Sequence, residues 1–192
     1  MKLLKLIQYL KDCEIDANIR NYDIEISMLS MDTRKLRPGA LFICVQGENI
    51  DAHRLVKEAE KAGAVAIVAQ ESVSTNLPVI LVEDTRMAVG RLASCFYGEP
   101  SKSLKMIGIT GTNGKTTSSY MLASILKNAG KKVGVIGTLG VVYNEKHFDS
   151  TLTTPDPIEL HSYLADMLAV GVEYVVMEVS AHSLYYKKTE GI

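Results

Sequence analysis

The chain has 192 residues, of which 47% are hydrophobic and 22% are charged, and its 21 basic and 22 acidic residues give a net charge of -1. This composition is typical of a globular protein and excludes an intrinsically disordered chain. The near balance of charge excludes a strongly basic nucleic-acid-binding protein, so we expect no nucleic acid among its partners.

The cysteines and the hydropathy indicate the cellular setting. No apolar run approaches the roughly 18–20 residues of a membrane-spanning helix, so we expect no membrane insertion. Cys13, Cys44 and Cys95 form no C-x-x-C pair, which argues against a zinc ribbon or a disulfide framework. Cys44 and Cys95 lie among apolar neighbours and are interpreted as small buried thiols. These features predict a reduced, cytoplasmic protein; its oligomeric state is left open.

Short segments rich in Val and Ile alternate with helical patterns along the chain. Most lack strict alternation of apolar and polar residues, as in strands that are buried on both faces of a sheet. The predicted strands are residues 25–29, 40–45, 64–69, 79–82, 105–110, 133–137 and 174–179. Because helices separate them, the pattern indicates βαβ units, a mainly parallel sheet and the α/β fold class.

Three predicted helices lie between these strands. Asp51 caps the first, which Gly63 ends. The second ends at Gly130, and Pro157 lies in the first turn of the third. Their apolar faces are Met121, Leu122, Ile125, Leu126 and Ala129 in the second helix, and Leu160, Leu164, Met167 and Leu168 in the third.

A segment rich in Gly, Pro and Ser interrupts the pattern near residue 100. Such a break is typical of a linker between domains. The sequence therefore predicts a small N-terminal α/β domain over residues 1–98, a linker over residues 99–104 and a second α/β domain over residues 105–192.

The most informative motif is Gly111-Thr112-Asn113-Gly114-Lys115-Thr116-Thr117, which follows a predicted strand and opens a predicted helix. Glycines let the backbone turn its N–H groups around an anion, and the helix N-terminus adds partial positive charge. In such a phosphate loop Lys115 reaches the β- and γ-phosphates of ATP, and the Thr116 hydroxyl holds Mg²⁺. The loop is a variant, because Ile109 stands where the strict pattern has glycine. The alternative is a glycine-rich turn with a chance lysine.

Two neighbouring segments offer further ligands. Glu178 ends a predicted apolar strand and is a candidate Mg²⁺ ligand that eases phosphoryl transfer, although a surface carboxylate is the alternative. His182 is a candidate for the same metal, although a histidine after a strand is more often structural. The hydroxyls of Thr153 and Thr154 lie in a polar loop where they meet an anionic substrate or cap a helix.

The phosphate loop resembles that of the Mur ligases, the ATP-dependent amide-forming enzymes of peptidoglycan synthesis. Two further segments carry the resemblance, Asp32-Thr33-Arg34 through Gly47 and Thr153-Thr154-Pro155 followed by residues 177–184. Together they are most similar to the members that add the third residue of the peptide. The resemblance spans almost the whole chain.

The resemblance implies the site. Residues 111–117 bind ATP, with Lys115 and Glu178 as catalytic groups and Mg²⁺ as the metal. The family contacts its UDP-muramoyl substrate at the positions of Thr33, Asn49, Thr153, Thr154, Ser180 and Lys188. Lys188 replaces the usual arginine, which keeps the charge and loses the bidentate geometry.

The resemblance also implies the reaction. ATP phosphorylates the D-glutamate carboxylate of UDP-MurNAc-L-Ala-D-Glu, and the amine of a diamino acid then displaces the phosphate to form an amide. The family has three domains, so this chain is interpreted as an N-terminal fragment. It holds the substrate domain and a truncated P-loop parallel-sheet ATPase domain, lacks the C-terminal ligase domain, and is not expected to complete the reaction alone. The residues do not say whether the diamino acid is meso-diaminopimelate or L-lysine.

Two other functions stay open at this point. A P-loop small-molecule kinase would release ADP and phosphorylated product regardless of added diamino acid. A non-catalytic module would bind the nucleotide or UDP-sugar without hydrolysis.

Overall fold

The structure, a computed structural model, describes residues 1–10, 23–47, 50–150 and 152–192 and the backbone of Cys13–Ile15. The chain divides into two compact units, Met1–Phe96 and Tyr97–Ile192. Each unit contains one sheet with five described strands, most of them parallel. The predicted α/β class is therefore confirmed. In the described part of the chain, no helix has the length and apolar character that crossing a bilayer requires.

The first unit is built on a sheet with strand order β1-β5-β4-β3-β2. Its strands are β1 (Cys13–Ile15), β2 (Met28–Ser30), β3 (Ala40–Ile43), β4 (Ala64–Ala69) and β5 (Val79–Val82). Its helices are α1 (Leu3–Ile7), α2 (Val56–Lys61) and α3 (Thr85–Phe96). The four strands from β2 to β5 are parallel, so their carboxyl ends meet at one edge.

Two predicted elements of this unit differ in detail from the structure. The first strand begins at Met28 and not at residue 25, because the preceding backbone pairs with the N-terminus: the Ile26 N–H donates to the Met1 carbonyl at 2.7 Å. Asp51 caps a helix as predicted, and its carboxylate accepts the His53 N–H at 3.0 Å. The first turn is a 3-10 helix, Ala52–Leu55, which leads into α2.

Cys44 and Cys95, the two cysteines whose side chains are described, are buried, which confirms their interpretation as small buried thiols. Burial raises the pKa of the Cys44 thiol to about 12, and the nearby charge of Asp51 adds to the effect. A thiol with this pKa is almost entirely protonated at neutral pH, and the thiolate is the reactive form. Cys44 therefore contributes to packing and not to chemistry.

The second unit is built on a sheet with strand order β6-β10-β7-β8-β9. Its strands are β6 (Lys105–Ile109), β7 (Val133–Gly137), β8 (Gly140–Tyr143), β9 (Lys146–Phe148) and β10 (Tyr174–Glu178). Its helices are α4 (Lys115–Asn128), α5 (Pro157–Ala169) and α6 (Ala181–Tyr185). Strands β6, β10 and β7 are parallel, whereas β8 and β9 form an antiparallel hairpin that the sequence did not predict.

The buried faces of the two longer helices agree with the sequence to different degrees. In α5, Leu160, Leu164 and Met167 are fully buried, as predicted, whereas Leu168, the fourth residue of the predicted face, is 36% exposed. In α4 the predicted face is wrong in part, because Met121 and Ile125 are 62% and 64% exposed. The face that packs on the sheet is centred on Ala123 and Ser119.

His161 of α5 is a buried histidine that lacks one hydrogen bond. Its Nε2 lies 3.3 Å from the Glu190 carbonyl oxygen, which can only accept, so Nε2 carries the proton. Its buried Nδ1 has no hydrogen-bond partner among the described residues. Burial lowers the pKa of His161 below its ordinary value of 6.5, and the bond to the Glu190 carbonyl opposes this in part.

This burial predicts a stability that falls in acid. Because the folded-state pKa of His161 is lowered, the unfolded chain binds the proton more readily. Stability is then full above pH 6.5 and decreases as the pH falls through that value, by at most about 1.4 kcal/mol per pH unit. Urea unfolding at pH 7.5 and 5.5 measures the effect. His161→Leu should reduce the difference and the exposed His147→Gln should retain it, whereas an unchanged difference in His161→Leu would contradict the assignment.

Candidate nucleotide and metal site

The phosphate loop, residues 111–117, connects the carboxyl end of β6 to the first turn of α4. Gly114 has a φ of 78°, in the left-handed region that glycine adopts without strain, and it directly precedes Lys115 at the start of the helix. Residues 111–114 and 117 are exposed. The N–H groups of the first helical turn have no partner within a helix, so this end of α4 attracts anions.

The Lys115 ammonium lies over the loop backbone. Its Nζ donates to the Gly111 carbonyl at 2.7 Å and lies 3.5 Å from the Thr112 carbonyl. At this position the ammonium would attract a phosphate group that enters the loop. Loop, helix N-terminus and ammonium together fit the polyphosphate of a nucleotide.

Glu178 lies at the carboxyl end of β10, beside the loop, and its side chain is completely buried. Thr116 donates its hydroxyl to Glu178 Oε2 at 3.0 Å. Thr138, the residue after β7, donates its N–H to Oε1 at 3.0 Å and its hydroxyl to Oε2 at 3.2 Å. Thr116 and Glu178, two of the three residues predicted to hold magnesium, are therefore in direct contact. A hydroxyl and a carboxylate oxygen are the donor types that Mg²⁺ prefers, so this pair fits that ion.

Gly137 explains how the carboxylate fits beside β7. A Cβ at this position would lie 2.1 Å from Glu178 Oε1 and 2.7 Å from its Cδ. Only a residue without a side chain leaves room for Glu178 over the strand. Gly137 and Thr138 thus form a cradle that fixes the carboxylate toward Thr116.

The predicted substrate residues of the second unit have different surroundings. The Thr153 hydroxyl lies 3.2 Å from the Thr138 hydroxyl and so adjoins the Glu178 carboxylate cluster. The buried Thr154 hydroxyl donates to the Glu178 carbonyl at 3.0 Å. Ser180 Oγ accepts the Ser183 N–H at 3.1 Å and caps α6. Thr154 and Ser180 therefore stabilise the backbone that carries Glu178.

Lys188 and His182 follow β10 and have partners of their own. Lys188 pairs with Asp156 at 2.8 Å, and only 12% of its side chain is exposed. The exposed His182 ring packs against Tyr186, with ring centroids 4.4 Å apart. Whether His182 binds the metal stays a prediction.

The remaining predicted substrate residues belong to the first unit. Thr33 opens a 3-10 helix, Thr33–Lys35, that Asp32 caps. The Arg34 guanidinium bonded to Asp32 holds the pKa of that carboxyl below its usual value. Asn49 lies outside the described residues.

A second group of potential metal ligands lies in the first unit, where Asp51, His53 and Glu71 approach one another. Both ring nitrogens of His53 are already bonded, Nδ1 to Asp51 at 2.6 Å and Nε2 to the Gln70 N–H at 3.1 Å. A metal would have to break one of these bonds. The arrangement instead ties the loop after β3 to the end of β4.

Three residues of the site escaped the sequence analysis: Gly137, Thr138 and Asp156. The first two were detectable in principle, since a Gly-Thr pair at the end of a strand parallel to β10 must lie beside Glu178. That inference requires the strand order, which the sequence did not supply. Asp156 follows the polar loop of Thr153 and Thr154, but its pairing with Lys188 depends on the path of the chain after α6.

Comparison with known proteins identifies the family of the chain. Residues 109–192 match the family model of the Mur ligase middle domain, and residues 25–97 match the Mur ligase family, catalytic domain. The chain is 39% identical over 191 residues to a UDP-N-acetylmuramoyl-L-alanyl-D-glutamate–2,6-diaminopimelate ligase of Bacillus licheniformis, across 100% of this chain and 39% of that protein. The chain belongs to the Mur ligase family.

Other relatives of this Mur ligase chain extend the comparison. A 2,6-diaminopimelate ligase of Listeria monocytogenes is 44% identical over 168 residues, which are 88% of this chain and 34% of that protein. The solved structure of a ligase with the same name has a TM-score of 0.81 at 24% identity and covers all of this chain and 39% of that one, which shows the shared fold. The MurF ligase of Thermotoga maritima, solved with ADP, has a TM-score of 0.57 at 26% identity over 82% of this chain and 32% of that one. The chain spans about two fifths of the length of the curated relatives it matches.

Proposed function

We propose that this chain supplies the nucleotide site and the UDP-sugar contacts of an ATP-dependent amide ligase of peptidoglycan synthesis. The reaction would join 2,6-diaminopimelate to the D-glutamate carboxylate of UDP-N-acetylmuramoyl-L-alanyl-D-glutamate, the reaction named for the relatives. The contact between Thr116 and Glu178 beside the phosphate loop carries the proposal. We also propose that residues 1–98 form the UDP-sugar domain, joined by residues 99–104 to a P-loop ATPase domain that begins at residue 105.

The residues of the loop suit the first half of this reaction. A carboxylate becomes an electrophile only after it carries a leaving group, and two anions must approach each other for that to happen. Lys115 and the N–H groups at the start of α4 hold the γ-phosphate and offset this repulsion. The carboxylate oxygen then bonds to the γ-phosphorus as ADP leaves, which gives an acyl phosphate.

A magnesium ion held by Thr116 and Glu178 would supply charge neutralisation at the transferring phosphoryl group. The second half of the reaction involves no further phosphoryl transfer. The amine of the diamino acid attacks the acyl carbon, inorganic phosphate leaves and the amine loses a proton. Thr153 and Lys188 are proposed to orient the anionic UDP-linked substrate during both halves of the reaction. We also propose a cytoplasmic location, which the buried thiols and the use of ATP as co-substrate favour.

Lys188 offers the test of the substrate assignment. Isothermal titration of UDP-N-acetylmuramoyl-L-alanyl-D-glutamate into the chain should show saturable binding. Lys188→Ala should weaken it by roughly 10-fold, because a charge-assisted bond to an anion is lost. Lys146→Ala, which removes an exposed charge from β9, is the matched control and should bind normally.

Two results would count against the proposal. Absence of binding at millimolar UDP-substrate would remove the ligase assignment and leave a kinase or a nucleotide-binding module. Equal weakening in Lys188→Ala and Lys146→Ala would show that only overall charge matters.

A further inference from the structure

Four oxygen-bearing side chains of the second unit form one continuous hydrogen-bonded series. Thr116 contacts Glu178 at 3.0 Å, Glu178 contacts the Thr138 hydroxyl at 3.2 Å, and the Thr138 hydroxyl contacts Thr153 at 3.2 Å. The series begins in the phosphate loop and ends at a residue proposed to meet the UDP-linked substrate. Within it, the Thr138 hydroxyl lies between the Glu178 carboxylate and the Thr153 hydroxyl.

The chemistry of the groups sets the direction of these bonds. An ionised carboxylate accepts hydrogen bonds and donates none, so Thr116 and Thr138 both point their protons at Glu178. A hydroxyl has one proton, so Thr138 cannot also donate to Thr153. Thr153 must therefore donate to Thr138, and its proton is engaged inside the protein.

We propose that Thr138 is a positioning residue that couples the nucleotide site to the UDP-substrate site by reversing this series. When a cation at Thr116 and Glu178 takes over the negative charge of the carboxylate, Thr138 is released to donate to Thr153. The Thr153 proton then becomes available to an anionic oxygen of the UDP-linked substrate. The metal nucleotide and the substrate each strengthen the binding of the other. This inference rests on the proposed function of the site.

The backbone supports a discrete switch. The Thr138 N–H holds Glu178 Oε1 at 3.0 Å whichever way the hydroxyl points, so the carboxylate stays in place while the proton changes partner. Gly137 keeps the carboxylate against the strand. Only a rotation of the Thr138 hydroxyl is needed, without movement of the chain.

The test is a coupling measurement on the whole chain. UDP-N-acetylmuramoyl-L-alanyl-D-glutamate is titrated with no nucleotide, with ADP plus EDTA, and with saturating ADP plus Mg²⁺. Wild type should bind the substrate about tenfold more tightly with ADP plus Mg²⁺ than with no nucleotide, which is within the usual range of coupling between sites. With ADP plus EDTA, its affinity for the substrate should equal that measured without nucleotide. Thr138→Val should lose the enhancement and Thr138→Ser should retain it.

The outcomes separate this inference from the proposed function. If wild type binds both ligands without any mutual effect, the coupling is wrong and the ligase site stands. If wild type binds no UDP-substrate at all, both the coupling and the proposed ligase function are wrong. Enhancement that persists in Thr138→Val, or is lost equally in Thr138→Ser, would overturn the role of the hydroxyl; circular dichroism and the affinity for Mg-ADP alone establish that each variant is folded.

Discussion

Replacing Lys115 with alanine is expected to weaken the binding of ADP and ATP by on the order of 100-fold, because a charge-assisted hydrogen bond to phosphate contributes about 1.5–3 kcal/mol. The Lys115 ammonium already lies over the loop, bonded to the Gly111 carbonyl at 2.7 Å, so little ordering remains to be done when phosphate enters. The loss should appear in titration calorimetry as a higher dissociation constant.

Lys127 provides the matched control for this variant. It lies on the same helix, is exposed and carries the same charge. Lys127→Ala should bind nucleotide like wild type, because its charge is near the opposite end of α4. Equal loss in the two variants would mean that the nucleotide responds to the general charge of the helix and that the loop is not its site.

Replacing Gly137 with alanine is expected to destabilise the second unit by about 3 kcal/mol, at the upper end of the usual cost of overpacking. The added Cβ would lie only 2.1 Å from Glu178 Oε1. The buried carboxylate would have to move away, and this movement would break its hydrogen bonds to Thr116 and Thr138. Magnesium-dependent nucleotide binding should be lost with it. Native-state hydrogen exchange at the amides of β10 measures the local stability.

Gly108 is the control for the Gly137 substitution. It also lies in a strand of the second unit, but a Cβ there would meet only Val179 Cγ2 at 3.4 Å, an ordinary contact. Gly108→Ala should leave exchange at β10 close to that of wild type. Unchanged exchange and metal binding in Gly137→Ala would show that Glu178 is not confined as the structure indicates.

The parallel core of the second unit was predictable because its signals are local. Residues 133–137 and 174–178 are short apolar segments, and Gly130 and Pro157 mark helix boundaries by their own backbone preferences. The hairpin of β8 and β9 was missed because its turn is atypical. Asn144 and Glu145 both have positive φ, and a glutamate stands where glycine is the usual signal.

Thr116 and Glu178 were predicted as candidate metal ligands from the types of residue at strand and helix ends, whereas the residues that support Glu178 were not predicted. Thr116 and Glu178 are separated by 62 positions, yet each has a recognisable place beside a strand end. Gly137 and Thr138 lie beside Glu178 only because β7 is the neighbour of β10 in the sheet. Pairing between strands that are distant in sequence decides this order. The apolar stripe of α4 was misjudged for a similar reason, since Met121 and Ala123 both fit a helical pattern and only the sheet selects Ala123.

We propose that the phosphate loop and Glu178 form one magnesium–nucleotide site. Titration of ADP into the wild-type chain, with Mg²⁺ and with EDTA, tests it most directly. We expect saturable binding of one ADP per chain that weakens by at least about tenfold without the metal, since Thr116 and Glu178 are proposed to supply oxygen ligands to the same ion. Absence of binding, or binding that is equally tight in EDTA, would contradict it.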